Sequence, residues 1–155
     1  MAQPTFPARV AYGYEFTTVE EYTPSATAGE TMAYGEICTL AANVVKRAGA
    51  DPTSIIGLSE VDSEKAKGLT PNGKIPIRVF SEKATLVMGS DTVPVEATHL
   101  NVAYGIVRDG TTGFWKVDVS DTTNTRVVVV RLNVAEGLWY VRFLGANLAD
   151  SGIVS

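Results

Sequence analysis

The chain of 155 residues is long enough for one ordinary domain, and its 45% hydrophobic content argues against global disorder. A formal net charge of −4 argues against general nucleic-acid binding, which depends on neutralising phosphates with Lys and Arg. The single cysteine excludes an intramolecular disulfide, and no apolar run approaches the length of a membrane span. We therefore expect neither a nucleic acid nor a membrane as a partner.

The first 28 residues differ from the rest of the chain in their prolines and aromatic residues. Apolar side chains recur at every second position from Val10 to Phe16, which would give an extended strand one largely aromatic face. We predict that residues 1–28 form an extended N-terminal arm that docks on a neighbouring subunit by strand addition. The alternative is an N-terminal strand that packs on its own domain. The candidate contact residues are Phe6, Tyr12, Tyr14, Phe16 and Tyr22.

Residues 29–155 are predicted to form a β domain, because short β-branched and aromatic runs recur between turn residues. The predicted strands are residues 35–40, 44–48, 53–59, 75–79, 84–88, 100–106, 114–119, 126–132 and 138–144. Residues 41–48, followed by Gly49, could instead form a short helix. One helical turn is predicted at residues 62–68 and a tight turn at residues 71–73.

The regular spacing of these strands is typical of a small β-barrel or β-sandwich. Pro76 has no N–H to donate, so the strand at residues 75–79 is predicted to lie at the edge of a sheet or at a boundary between sheets. The turn-rich stretch at residues 89–97 divides the pattern into two candidate lobes, residues 29–90 and 91–155.

Residues suited to catalysis or metal binding are scarce. One histidine and one cysteine cannot supply a metal cluster of nitrogen and sulfur ligands. We interpret Cys38 as a buried structural thiol rather than a nucleophile, and His99 as a surface or strand-end residue. Phosphate-binding glycine motifs are absent. We therefore expect no enzyme and no catalytic, cofactor-binding or metal-binding residues, with a hydrolase that uses two of the 17 acidic residues as a remaining alternative.

The aromatic residues Trp115, Trp139 and Tyr140 allow two interpretations. They could form a platform on which a sugar stacks, as in a carbohydrate-binding module. Aromatic residues in strands are more often part of a core, and alternation within residues 138–144 places Trp139 with Val141 and Phe143 on one face. We favour the core.

Four segments between residues 34 and 79 form a further pattern. A glycine-led strand is followed by a valine-rich strand, then by a hydrophobic–Gly–hydrophobic–Ser segment and by a second glycine-led strand that ends in valine. The segments are residues 34–40 (YGEICTL), 44–48 (VVKRA), 55–59 (IIGLS) and 73–79 (GKIPIRV). Over roughly residues 28–88, this pattern resembles the head-decoration, or capsid cement, proteins of tailed bacteriophages.

The resemblance implies a β-tulip or jelly-roll-like barrel on the outer surface of a phage head, assembled in the cytoplasm of the bacterial host. It implies that the partner is the major capsid protein, whose subunits the chain would bridge and stabilise. It also implies a homo-oligomer, with a trimer favoured, no cofactor, and an N-terminal arm at residues 1–28. The alternatives are another phage structural component, such as a tail or head-completion protein, and a β-sandwich carbohydrate-binding module.

Overall fold

A computed structural model describes residues 3–24, 33–41, 44–60 and 74–149. These residues form eleven strands and three short helical turns, which confirms the predicted all-β class. The helical turns are Tyr14–Phe16, Glu96–His99 and Gly145–Asn147. The strands are β1 (Arg9–Tyr12), β2 (Thr17–Tyr22), β3 (Ile37–Ala41), β4 (Val44–Arg47), β5 (Ile55–Ser59), β6 (Ile75–Phe80), β7 (Thr85–Ser90), β8 (Ala103–Arg108), β9 (Trp115–Asp118), β10 (Val127–Asn133) and β11 (Leu138–Phe143).

Five strands close into a barrel in the order β7-β11-β10-β8-β9. The ring closes because β9 returns to β7 through a parallel pair, with Gly89 opposite Lys116 and Ser90 opposite Val117. The other neighbours in the ring are antiparallel. Strand β1 pairs with the first half of β7, ahead of the point where β9 joins it. Closure leaves the barrel strands few unpaired edges.

The second sheet has the order β2-β6-β5-β3-β4 and is antiparallel throughout. A single parallel bridge joins Pro24, just after β2, to Val45 of β4, and the Val45 N–H donates to the Thr23 carbonyl at 2.9 Å. The first and last strands of this sheet therefore meet at one point.

Two apolar clusters form the core. The larger one fills the barrel and extends to residues of the second sheet, such as Ile37, Ile55 and Leu58. The smaller one, which includes Cys38, Val45 and Ile77, lies within the second sheet. The larger cluster joins the two sheets because it contains side chains from both.

The N-terminal segment connects the two sheets, since β1 belongs to the barrel layer and β2 to the second sheet. In this structure residues 9–22 pack on their own chain, which was the alternative to a docking arm. The predicted continuous strand from Val10 to Phe16 is wrong. Strand β1 ends at Tyr12, and Gly13 turns the chain with a φ of +82°, a value that favours glycine.

Most predicted strands are confirmed, including β4, for which a helix was the alternative. The strand predicted at residues 100–106 begins later, at Ala103. Glu96–His99 form a helical turn, and Asn101 has a φ of +63°, which breaks the extended backbone before β8. The predicted helical turn at residues 62–68 and the turn at residues 71–73 lie outside the described residues.

Of the two positions predicted for the strand that contains Pro76, the edge of a sheet is wrong, because β6 lies between β2 and β5. The Pro76 carbonyl accepts a hydrogen bond from Glu60, the residue just after β5. In an antiparallel strand the N–H and C=O of one residue point to the same neighbour. The position without an N–H therefore faces the end of β5, where the hydrogen-bond ladder stops. The proline thus costs the sheet little stability.

The boundary between the sheets does not coincide with the stretch at residues 89–97. The chain leaves the second sheet at the end of β6 and enters the barrel at β7, so the change falls at residues 81–84. The candidate boundary comes after β7, which pairs with β11 and β9 of the later half.

Candidate interaction surface and interlayer cleft

The five predicted contact residues lie at or near the surface of the N-terminal segment. Tyr12 and Tyr14 are the most exposed, with 48% and 53% of their surface accessible. Phe6, Phe16 and Tyr22 are half-buried. The backbone that carries Tyr12 is held by pairing of β1 with β7, and the Tyr14 hydroxyl donates to the Val10 carbonyl at 2.9 Å. The exposed rings are therefore carried on an anchored segment.

Cationic side chains lie over the rings of four of these residues, within the range of a cation–π contact. The distances from the cationic centre to the ring centroid are 5.3 Å for Arg9 and Phe6, 5.7 Å for Arg131 and Tyr12, 5.2 Å for Arg78 and Tyr14, and 5.4 Å for Lys83 and Phe16. The fifth residue, Tyr22, differs because its hydroxyl donates to Glu20 at 3.0 Å. Burial and this hydrogen bond raise the pKa of Tyr22 to about 12.

Tyr12 is part of a cluster with Tyr140 and Arg131, which we name the tyrosine–arginine cluster. The two tyrosine rings stack at 5.7 Å, and Arg131 lies over both and donates a hydrogen bond to the Tyr12 hydroxyl. Arg131 is absent from the residues predicted from the sequence, because the partner strand of β10 is not visible in a local pattern. Tyr140 was predicted as part of a sugar platform, of the core or of a subunit contact.

A second cluster lies where the two sheets meet. Glu36, just before β3, is buried and accepts hydrogen bonds from Trp115 Nε1 at 3.0 Å and Arg108 Nε at 2.8 Å. Arg47 Nε, at the end of β4, lies 3.5 Å from the same carboxylate. We name these four residues the Glu36 cluster. It joins the second sheet, through Glu36 and Arg47, to the barrel, through Arg108 and Trp115.

Burial raises the pKa of Glu36, because removal from water penalises its charged form. The guanidinium of Arg108 opposes this effect more strongly than the other partners do, and Trp115 and Arg47 add to the opposition. Two arginines and an indole N–H therefore offset part of the cost of a carboxylate held between the sheets.

The Glu36 cluster borders a cleft of about 340 Å³ between the two layers. Its lining combines the two arginines of the cluster and Trp115 with Gly49 and Ala50 and with acidic residues on the barrel side, such as Asp118. Asp118 and Asp121 mainly organise turns, since Asp118 Oδ1 accepts from Ser120 and Asp121 Oδ1 accepts from Thr123 and Asn124. The cleft is thus lined by groups that already serve the fold.

A third charged group stabilises the loop between β8 and β9. Lys116 Nζ lies 2.9 Å from Asp91 and 3.2 Å from Asp109. Asp109 also accepts backbone N–H bonds from Thr111 and Thr112, and these bonds, more than the lysine, lower its pKa to about 2. These contacts stabilise the turn at residues 109–113, which joins β8 to β9.

The remaining residues singled out in the sequence are buried. Cys38 has no exposed surface and its thiol donates to the Glu36 carbonyl, which confirms the predicted buried thiol. The prediction of a surface position for His99 is wrong, because its ring is buried against Trp139 and its Nδ1 accepts from the Val95 N–H. Trp115 and Trp139 are 1% and 0% exposed, so neither offers an open ring face for a sugar.

The described ranges contain no group of three or more His, Cys, Asp or Glu side chains that could hold a metal ion. No helix in the same ranges is long and apolar enough to cross a membrane. Comparisons of the chain with protein-family models, with curated proteins and with solved structures find no match.

Proposed function

We propose that the protein is a decoration, or cement, protein that binds the outer surface of a tailed-phage head and bridges capsid subunits. The observation that carries the proposal is the exposure of Tyr12 and Tyr14 on a segment anchored to both sheets. The resemblance of residues 28–88 to phage head-decoration proteins supplies the identity of the partner. In this proposal the protein stabilises the head by binding and carries out no reaction.

The proposed contact residues are Phe6, Tyr12, Tyr14, Phe16 and Tyr22. Aromatic residues concentrate in the energetically important parts of protein interfaces, since they bury a large area at a small cost in side-chain entropy. Because β1 and β2 already pair with β7 and β6, we propose that the segment contributes side-chain contacts rather than an added strand. Many such contacts repeated over a shell, with a trimer as the proposed unit, would give high avidity from modest individual affinities.

The first experiment is to measure the composition of purified virus particles by quantitative mass spectrometry. The proposal expects a ratio of this chain to the major shell protein near one-to-one, or another simple fraction, because decoration sites repeat with the symmetry of the shell. Absence from particles would contradict a virion role. A handful of copies per particle would contradict decoration and favour a tail or head-completion protein.

The second experiment tests the contact residues by co-sedimentation with undecorated heads. The double variant Tyr12→Ala/Tyr14→Ala is expected to bind roughly tenfold more weakly, because truncation removes two exposed aromatic side chains. The matched control is Val93→Ala, at a 54% exposed apolar residue outside the N-terminal segment, which should bind like the unchanged protein. Equal binding by the double variant and the control would remove the segment from the interface.

A further inference from the structure

The seven arginines of the chain fall into two groups according to their partners. Four are satisfied by the fold: Arg47 and Arg108 by Glu36, Arg78 by Glu60, and Arg126 by the backbone carbonyls of Pro52 and Asp51. The other three, Arg9, Arg131 and Arg142, are exposed and have no carboxylate partner within the described part of the chain.

Strand register places these three arginines on one face of the barrel layer. Arg9 pairs with Val87, Val87 with Tyr140, and Tyr140 with Arg131, so a single row crosses β1, β7, β11 and β10. Neighbouring strands lie about 4.8 Å apart, so the backbones of Arg9 and Arg131 are roughly 14 Å apart. Arg142 lies in the next row, where its Nε donates to Thr85 at 3.1 Å.

The same face carries the tyrosine–arginine cluster, which orients one guanidinium. Arg131 is held over the rings of Tyr12 and Tyr140 and uses an N–H for the Tyr12 hydroxyl. Its other N–H groups, like those of Arg142 beyond Nε, have no acceptor among the described residues. A guanidinium stacked in this way keeps its planar edge available for two parallel hydrogen bonds to an anion.

We propose that this face, defined by Arg9, Arg131, Arg142, Tyr12 and Tyr140, binds a carboxylate-rich protein surface. The inference rests on the proposed function for the identity of that surface, which would be an acidic region on the outside of the capsid shell. Charge complementarity carries it, because three arginines that no described carboxylate pairs with lie together in a chain whose net charge is −4.

A protein surface fits better than a nucleic acid. Arginine and tyrosine are enriched in protein interfaces, and here they are interleaved within two adjacent rows. Nucleic-acid affinity rises with the number of phosphates neutralised, and three arginines on a negatively charged chain would neutralise few. A folded acidic surface can pair with these arginines if a few of its carboxylates lie within roughly 14 Å of one another.

The test is an NMR titration of the full chain that follows the Nε–H resonances of its arginines. The probe is a short peptide of alternating glutamate and alanine, and the reference is the same peptide with glutamine in place of glutamate. We expect the resonances of Arg9, Arg131 and Arg142 to shift with the glutamate peptide only. The resonances of Arg126 and Arg108, which the fold already satisfies, should stay in place.

Variants give the quantitative test. Arg131→Gln is expected to weaken binding of the glutamate peptide roughly two- to fivefold, the range for one exposed ion pair, and replacement of all three arginines by glutamine should abolish it. The matched control is Lys46→Gln, which removes an exposed positive charge from β4 of the second sheet and should leave the affinity nearly unchanged. Urea unfolding of each variant verifies that the fold is retained.

Three outcomes would overturn the inference. They are no shift at any peptide concentration, shifts at Arg126 and Arg108 as large as those at the three arginines, and tighter binding of an oligothymidylate of equal charge to the same face. The particle-composition experiment is independent of this titration. If the chain is abundant on heads but does not bind the glutamate peptide, the proposed function is retained and this inference fails. If the chain binds the peptide but is absent from heads, the binding is retained and the proposed function fails.

Discussion

The Glu36 cluster and the tyrosine–arginine cluster use the same kinds of residue in opposite settings. In the Glu36 cluster, arginines and a tryptophan surround a buried carboxylate and join the two sheets. In the tyrosine–arginine cluster, an arginine lies on two tyrosine rings at the surface, without a carboxylate among the described residues. Arginine and tryptophan thus join the two sheets where they enclose a carboxylate, whereas the arginine on the tyrosine rings keeps N–H groups that no described residue accepts.

The largest expected effect comes from removal of the buried carboxylate. Glu36→Ala is expected to lower the free energy of unfolding by about 3 kcal/mol, since it leaves Trp115 Nε1 buried without its acceptor and removes the carboxylate that Arg108 and Arg47 contact. The loss stays at the lower end of the range for buried pairs because the side chains of Arg47 and Arg108 are 32% and 29% exposed and can be hydrated. Urea unfolding measures the change.

The control for this prediction is Glu21→Ala, which removes an exposed carboxylate from β2. Its unfolding free energy should change by no more than about 0.5 kcal/mol. Similar losses for the two variants would mean that the Glu36 cluster does not stabilise the junction of the sheets.

A smaller effect is expected when one donor to Glu36 is removed. Trp115→Phe keeps an aromatic ring in the core but removes the Nε1–H bond, and should cost about 2 kcal/mol. Trp139→Phe is a closely matched control, because Trp139 is equally buried and its Nε1 has no hydrogen-bond partner among the described residues. If the two variants unfold at the same urea concentration, the indole bond to Glu36 contributes nothing.

The pH dependence of stability is a further test of the Glu36 cluster. Burial raises the folded-state pKa of Glu36 above its ordinary value of 4.5, so the folded protein binds a proton at this site more readily than the unfolded chain. The stabilising contribution is therefore fully present below the unfolded pKa and is lost as pH rises through the folded pKa. Acidification from neutral pH to about 5 should increase the stability of the unchanged protein relative to E36Q.

Unfolding of both proteins at several pH values tests this expectation. The carboxyl of Asp109, whose pKa is lowered to about 2, is present in both proteins and cancels in the difference. If acidification instead lowered the unfolding free energy of the unchanged protein relative to that of E36Q, the arginines would outweigh burial at Glu36.

The smallest effect on stability is expected at the exposed cluster. Arg131→Gln removes the cation from above the rings of Tyr12 and Tyr140 and should lower the unfolding free energy by less than about 1 kcal/mol, the range for an exposed cation–π contact. Binding to the glutamate peptide should decrease, as proposed above. A stability loss as large as that of Glu36→Ala would make Arg131 a structural residue and remove the contrast between the clusters.

Local patterns predicted the strands well because strand formation follows from features within a few residues. The run that contains Val127 to Leu132 is β10, and alternation correctly placed Trp139, Val141 and Phe143 on the buried face of β11. The errors occurred where a single backbone conformation interrupted a pattern. Gly13 ended the aromatic alternation after Tyr12, and Asn101 delayed the start of β8.

The candidate site was predicted only in part. An aromatic run beside prolines is a local signal, and it singled out Tyr12 and Tyr14, which are exposed. Their contact role stays a prediction. Glu36 gave no such signal, since one glutamate before a strand resembles any other acidic residue. Its partners Arg108 and Trp115 are 72 and 79 positions away in the sequence.

The amino-acid sequence by itself determined the all-β class, the order of most strands and the faces that are buried, because period-two alternation and turn residues act over short distances. Only the tertiary structure decided which strands are neighbours, that the barrel closes between β7 and β9, and that Pro76 lies in a central strand. It also separated the arginines that meet a carboxylate from those that face outward. These features depend on contacts between residues far apart in the chain, and packing of the whole core selects them.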